Sequence, residues 1–423
     1  MDNAAGALEA LKNAVSQDDA NIVARLLASH PELRKQIDEP LMSFDSPAIT
    51  FARSRAMVDA LLEAGADINI KSRWWAGGFG LLHNAKPELA RYAIERGAVV
   101  DVHAAARLGM LERLRELVEG DRTLVHARGG DGQTPLHFAA DVAVAEYLLG
   151  CGADIDVRDI DHESTPAQFM LRDRTEVARF LVSRGCQTDL LMAAAIGDKT
   201  LVCRHLDADP DCIRMSVSDR YFPKRDPRSG GIIYIWTLGQ NKMAHDVARE
   251  RGHDEVFQVL VERSPDELQL ALAGTCGDRI TFAALLAKRP GLMQTLSPDE
   301  LGKLVDAAQN NNVSAVNLML SAGWPPDSRG GHGGTALHWS AFHGNAPMAE
   351  AILTHRPQLE LKDADFNATP LGWAIHGSEH GWYRDSGDYA GTVKALVAAG
   401  AKLPEKLGGS TAVKDVLRGL GVK

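Results

Sequence analysis

His376 and His380 stand four residues apart, the spacing that puts two imidazoles on one face of a helix. With His343 they would offer three nitrogen donors to a metal such as zinc. Gly377 and Gly381 weaken the helix that this geometry needs, so no metal is expected there. No nucleophile motif, Walker sequence or metal box accompanies these residues, and no cofactor is expected. The clusters Gly77-Gly78-Phe79-Gly80 and Gly330-Gly331-His332-Gly333-Gly334 read as turns rather than phosphate loops, since the first follows no clear strand and the second precedes the opening of a repeating unit. The five cysteines (Cys151, Cys186, Cys203, Cys212 and Cys276) are odd in number and spread out, with no Cys-x-x-Cys pair, which suits a reducing cytoplasm.

The elements that would carry these groups repeat along the chain. At 423 residues the chain is too long for one ordinary compact core, so it is either several domains or an array of small units. Thr134-Pro135-Leu136-His137 opens one unit, and Thr165-Pro166 opens another 31 residues on. Thr335-Ala336-Leu337-His338 is followed 34 residues later by Thr369-Pro370-Leu371. A glycine stop recurs at Gly65, Gly97, Gly152, Gly185 and Gly400, where it supplies a left-handed helix cap. Ser264-Pro265-Asp266-Glu267-Leu268 returns unchanged as Ser297-Pro298-Asp299-Glu300-Leu301, which predicts two helix starts with a serine cap, a proline in the first turn and a glutamate returning a bond to the cap.

The period of about 33 residues and the Thr-Pro-Leu-His opening resemble the ankyrin repeat. The resemblance covers nearly the whole chain. It implies an all-α solenoid of about twelve helix–turn–helix units, with N-terminal repeats over 5–217, an inserted finger over 218–240, C-terminal repeats over 241–402 and a cap over 403–423 closed by a short helix near 411–421. In such units His137 and His338 are expected to serve the backbone, and alanine runs such as Ala193-Ala194-Ala195 let helices approach closely.

Three insertions break the period, and in a repeat array insertions mark loops on one face. The first, Lys71 to Gly80, holds Trp74 and Trp75. The second is the finger, in which Tyr221 and Lys224 lie in a basic, aromatic stretch, Ser229-Gly230-Gly231 reads as a turn, and Ile232-Ile233-Tyr234-Ile235-Trp236 reads as a strand, together predicting a short hairpin. The third, Gly377 to Tyr389, carries His380 and Trp382. Either these loops present their aromatics to a ligand, or they are lids packed on their own repeats.

Carried over position by position, the ankyrin pattern turns Arg107, Phe138, Phe169, Asp306, Gln309, Asn310, Trp339, Phe342, His343, Trp373 and His376 toward a concave groove. The candidate binding site is therefore Asp306, Trp339, Phe342, His343, Trp373 and His376, with His380 and Trp382 from the third insertion and Tyr221, Lys224, Tyr234 and Trp236 from the finger. The function this implies is a binding module that recognises a protein segment or ligand on its concave face. The alternative is an enzyme or small-molecule receptor, for which Asp306, His343, His376, Tyr234 and Lys224 would supply acid and base groups. A net charge of −10 disfavours nucleic acid and anionic membrane surfaces. With no signal-like leader and no run of about 18 apolar residues, a soluble cytoplasmic protein is expected.

Overall fold

The computed structural model describes residues 2–423. Among them are 26 α-helices and no strand, with isolated bridges only at Met42–Ser46 and Ser216–Met243. The chain divides into two compact units, Met1–Leu260 and Val261–Lys423. This division falls inside the helix Asp254–Arg263, beyond the finger.

Each unit is a stack of helix pairs. In the C-terminal unit the first helices, Asp266–Cys276, Pro298–Gln309, Ala336–Phe342 and Pro370–His380, pack side by side. The second helices, Val313–Ser321, Ala346–Leu353 and Tyr389–Ala398, pack in a row of their own, and Thr411–Gly419 closes the end. One core of Leu304, Val316, Leu337, Ile352, Leu371 and Val393 runs between the rows. In the N-terminal unit, first helices such as Val102–Arg107, Pro135–Phe138 and Pro166–Met170 stack in the same way. The first helices are short and rich in alanine (Ala104, Ala105 and Ala106 are fully buried), which permits this close approach.

The opening motif works through its histidine. Nδ1 of His137 accepts the Thr134 backbone N–H at 3.1 Å, while Nε2–H donates to Ser164 O of the next unit at 3.2 Å. His338 repeats this with Thr335 N at 3.1 Å and Ala368 O at 3.2 Å. One imidazole thus caps its own helix and ties two units together. In the unit opened by Thr165, Gln168 takes the histidine's slot and accepts Thr165 N–H at 2.9 Å.

His137 is 1% exposed, and that burial pushes its imidazole down from 6.5 to about 3. The unfolded chain therefore binds this proton more readily than the folded one. Stability that rests on neutral His137 is fully present above about 6.5 and is lost as pH falls toward about 3. His137→Gln, which copies Gln168, should flatten this loss. Urea denaturation of both proteins across that window checks it, and parallel pH profiles would contradict it.

The two Ser-Pro-Asp-Glu-Leu segments differ in structure. Ser297 caps Pro298–Gln309 as expected, and its N–H reaches Glu300 Oε2 at 2.8 Å. At the first copy the helix begins one residue later, at Asp266, with extended Pro265 outside it. Glu267 there is engaged by Arg289 at 2.9 Å and Thr295 at 3.0 Å, which draws its carboxylate away from a capping role.

The finger is not a hairpin. Its base is pinched by the Ser216–Met243 bridge, and the expected strand is instead a helical turn, Tyr234–Thr237. The run Ile232 to Trp236 buries two isoleucines and Tyr234 against the repeat and leaves Trp236 out. Such one-sided burial over so short a run suits a helical turn, and no neighbouring strand is present to pair with an extended chain.

Candidate functional site

The helix Pro370–His380 passes through Gly377, and the third insertion only begins to turn at Gly381. A Cβ at Gly377 would lie 2.5 Å from Phe342 O, so glycine is what lets this helix rest on its neighbour. Tyr389 pins the far end of the loop, its hydroxyl donating to the same Phe342 carbonyl at 2.9 Å. The loop is thereby folded over the inner helices, and Trp382 is held beside them.

The result is a cavity of about 440 Å³. Trp339 and Phe342 come from one first helix, Trp373 and His376 from the next, and Trp382 from the insertion. His332 and Phe366, from the loops that precede those helices, complete it. Trp339 meets Trp373 at 5.2 Å and 81°, Phe342 meets Trp382 at 5.6 Å and 88°, and Phe366 meets Trp373 at 6.2 Å and 66°. Trp339 and Trp373 are 3% and 6% exposed, whereas Phe366 and Trp382 are 65% and 64% exposed. Two rings therefore form a buried floor, and two stand at the mouth.

Asp363 orders this floor. Its Oδ2 accepts Trp373 Nε1–H at 2.9 Å, and the same carboxylate takes the N–H groups of Phe366 and Ala368. Burial works against its charge, yet these three donors outweigh it and hold the carboxyl below its usual range. Asp365 accepts from His332 at 2.7 Å, placing a second carboxylate near the mouth.

The other expected residues separate from this pocket. His343 is 2% exposed, donates from Nε2 to Gln309 O at 2.9 Å, and is pushed down by burial; it packs against Trp339 and Trp382 at 5.8 and 5.5 Å without itself lining the cavity. Asp306 pairs with Lys303 at 2.7 Å. His380 lies 4.7 Å from His376, ring to ring, but outside the lining. Of the finger residues, Tyr221 and Lys224 border a small cavity of about 190 Å³ within the N-terminal unit. Tyr234 is fully buried and donates to Asp189 at 2.8 Å. Trp236 faces a larger groove of about 740 Å³, shared with Arg107, Phe138 and Phe169.

His332 and Phe366 escaped the sequence reading because both sit in turns, where the helical period is silent. A signal was present nonetheless. His332 is the one non-glycine in a run of glycines and adopts φ 61°, so its ring projects from a loop tip. A second cluster was also missed. Asp131 and Asp161 lie 4.0 and 3.7 Å from His162 Nε2, in loop tips under the finger. His162 Nδ1 donates to Gly231 O at 2.9 Å, and Arg228 covers Trp75 at 4.2 Å, so the first two insertions meet in this region. Burial, with Asp161 and Asp159 nearby, pushes Asp131 up to about 7 against the pull of His162.

Helix pairs stacked in rows and tied loop to loop define a helical-repeat protein. The chain is an ankyrin-repeat protein: the model of three ankyrin repeats matches residues 304–406, which contain the aromatic cavity, and a single ankyrin repeat matches residues 131–160. It is similar to the palmitoyltransferase Hip14 of Drosophila melanogaster, with 27% identity over 141 residues, covering 31% of this chain and 20% of the relative. It is also similar to the E3 ubiquitin-protein ligase KEG of Arabidopsis thaliana, with 20% identity over 277 residues, covering 60% of this chain and 16% of the relative. The chain thus spans a fifth or less of the length of these relatives. No helix among the described residues is long and apolar enough to cross a membrane.

Proposed function

We propose that this chain is a protein-binding module whose C-terminal repeats seat one side chain of a partner polypeptide in the aromatic cavity. The observation that carries this reading is the pairing of a buried Trp339–Trp373 floor with exposed Phe366 and Trp382 at the mouth. Large exposed aromatics beside a preformed cavity are the surface signature of recognition, and tryptophan dominates binding hot spots because it buries much area at small entropic cost. The ionisable groups in the lining are His332 and His376, and His332 is already paired with Asp365. Asp306 and His343 are engaged elsewhere in the fold, which favours binding over acid–base chemistry.

Peptides selected from a random library on the full chain test this. Phe366→Ala with Trp382→Ala should reduce their affinity by at least about tenfold, as expected for hot-spot aromatics. The helical spectrum and melting temperature should hardly change, since both side chains are mostly exposed. Peptides that bind the double variant as well as the parent would place recognition elsewhere and remove this reading.

A further inference from the structure

We infer that the side chain seated in this cavity is a methylated ammonium, the di- or trimethylated lysine of a partner polypeptide; this rests on the binding reading above. Shape is the first reason. Trp339 stands at 81° to Trp373, and Phe342 at 88° to Trp382, so the walls meet nearly at right angles. A flat ring could stack on one such wall only. A near-spherical group touches several at once.

Charge is the second reason. The faces of indole and phenyl rings carry negative potential and attract a cation, most strongly for tryptophan. No lysine or arginine is in the lining, and the carboxylates of Asp363 and Asp365 are hydrogen-bonded to the ring edges of Trp373 and His332. An unmethylated ammonium would bring three N–H donors into a wall made almost wholly of rings and would leave them unpaired, a costly burial. Dimethylation removes two of those donors and trimethylation all three, and both keep the charge.

A polypeptide source is favoured over a free cation by the mouth of the cavity. Phe366 and Trp382 are 65% and 64% exposed there, an apolar surface that the aliphatic stem of a lysine covers and tetramethylammonium, which has no stem, leaves in water.

The test titrates the full chain with four probes: N-acetyl-trimethyl-lysine amide, its isostere with carbon replacing the charged nitrogen, the unmethylated lysine amide, and tetramethylammonium. Shifts of the tryptophan indole N–H resonances report binding. The trimethyl-lysine amide should bind about tenfold more tightly than each of the other three. Its affinity should fall at least about tenfold in Phe366→Ala/Trp382→Ala. Equal or tighter binding of the neutral isostere would overturn the cationic assignment while leaving an apolar pocket that still binds the selected peptides. Equal binding of tetramethylammonium would overturn the polypeptide source. If the trimethyl-lysine amide leaves the indole resonances unmoved at millimolar concentration, the inference fails, whether or not selected peptides bind.

Discussion

Trp373→Ala is expected to lower the unfolding free energy of the chain by about 3–5 kcal/mol, the range for removing a buried tryptophan. The ring is 6% exposed and packs against Trp339, Phe342 and His338. Its Nε1–H is one of the three donors on the buried Asp363 carboxylate, so truncation leaves a charge short of a partner as well as a cavity. Trp373→Phe separates the two contributions. It keeps most of the ring, removes the donor, and should cost about 1–3 kcal/mol, the usual range for leaving a buried group unsatisfied. Chemical denaturation followed by circular dichroism measures both. If Trp373→Ala cost less than about 1 kcal/mol, the ring would be a surface group and the floor of the cavity would need another support.

Leu337→Ala should cost about 2–5 kcal/mol, because the side chain is fully buried where consecutive units share a core. No single unit buries enough surface to fold alone, so a hole at this junction weakens the unit it sits in and both neighbours. Ile280→Ala is the matched control. Ile280 is 86% exposed on the helix Arg279–Lys288, and its truncation should fall within about 0.5 kcal/mol of the parent. Comparable losses from the two variants would contradict the core described above.

The two experiments bear on different layers of the molecule. Leu337 serves the stack, and its loss should reduce binding only as far as it unfolds the repeats. Trp373 serves both the stack and the pocket. Phe366 and Trp382 serve the pocket with little part in the stack, which is why they are the cleaner probes of recognition.

The sequence by itself determined the repeats. Thr-Pro-Leu-His, the glycine stops and the 33-residue period are local signals, each satisfied by the backbone within one unit or the next, and the final helix Thr411–Gly419 falls where the pattern places it. Trp339, Phe342, Trp373 and His376 could be read by carrying the ankyrin pattern over position by position, because a rigid scaffold turns equivalent positions the same way. Trp382 could be singled out by its place in an insertion. What the tertiary structure decided is which of the selected residues meet. His343 and Asp306 share that register, yet the Gln309 carbonyl of the preceding repeat claims His343, a partner that comes from packing no period encodes, while Asp306 is taken by Lys303 one turn away on its own helix. His332 and Phe366 enter the cavity from loop tips whose direction depends on a left-handed residue and on the neighbouring unit. The finger took a helical turn where a run of β-branched and aromatic residues suggested a strand, because a strand needs a partner edge, and the stacked helices beside it provide none.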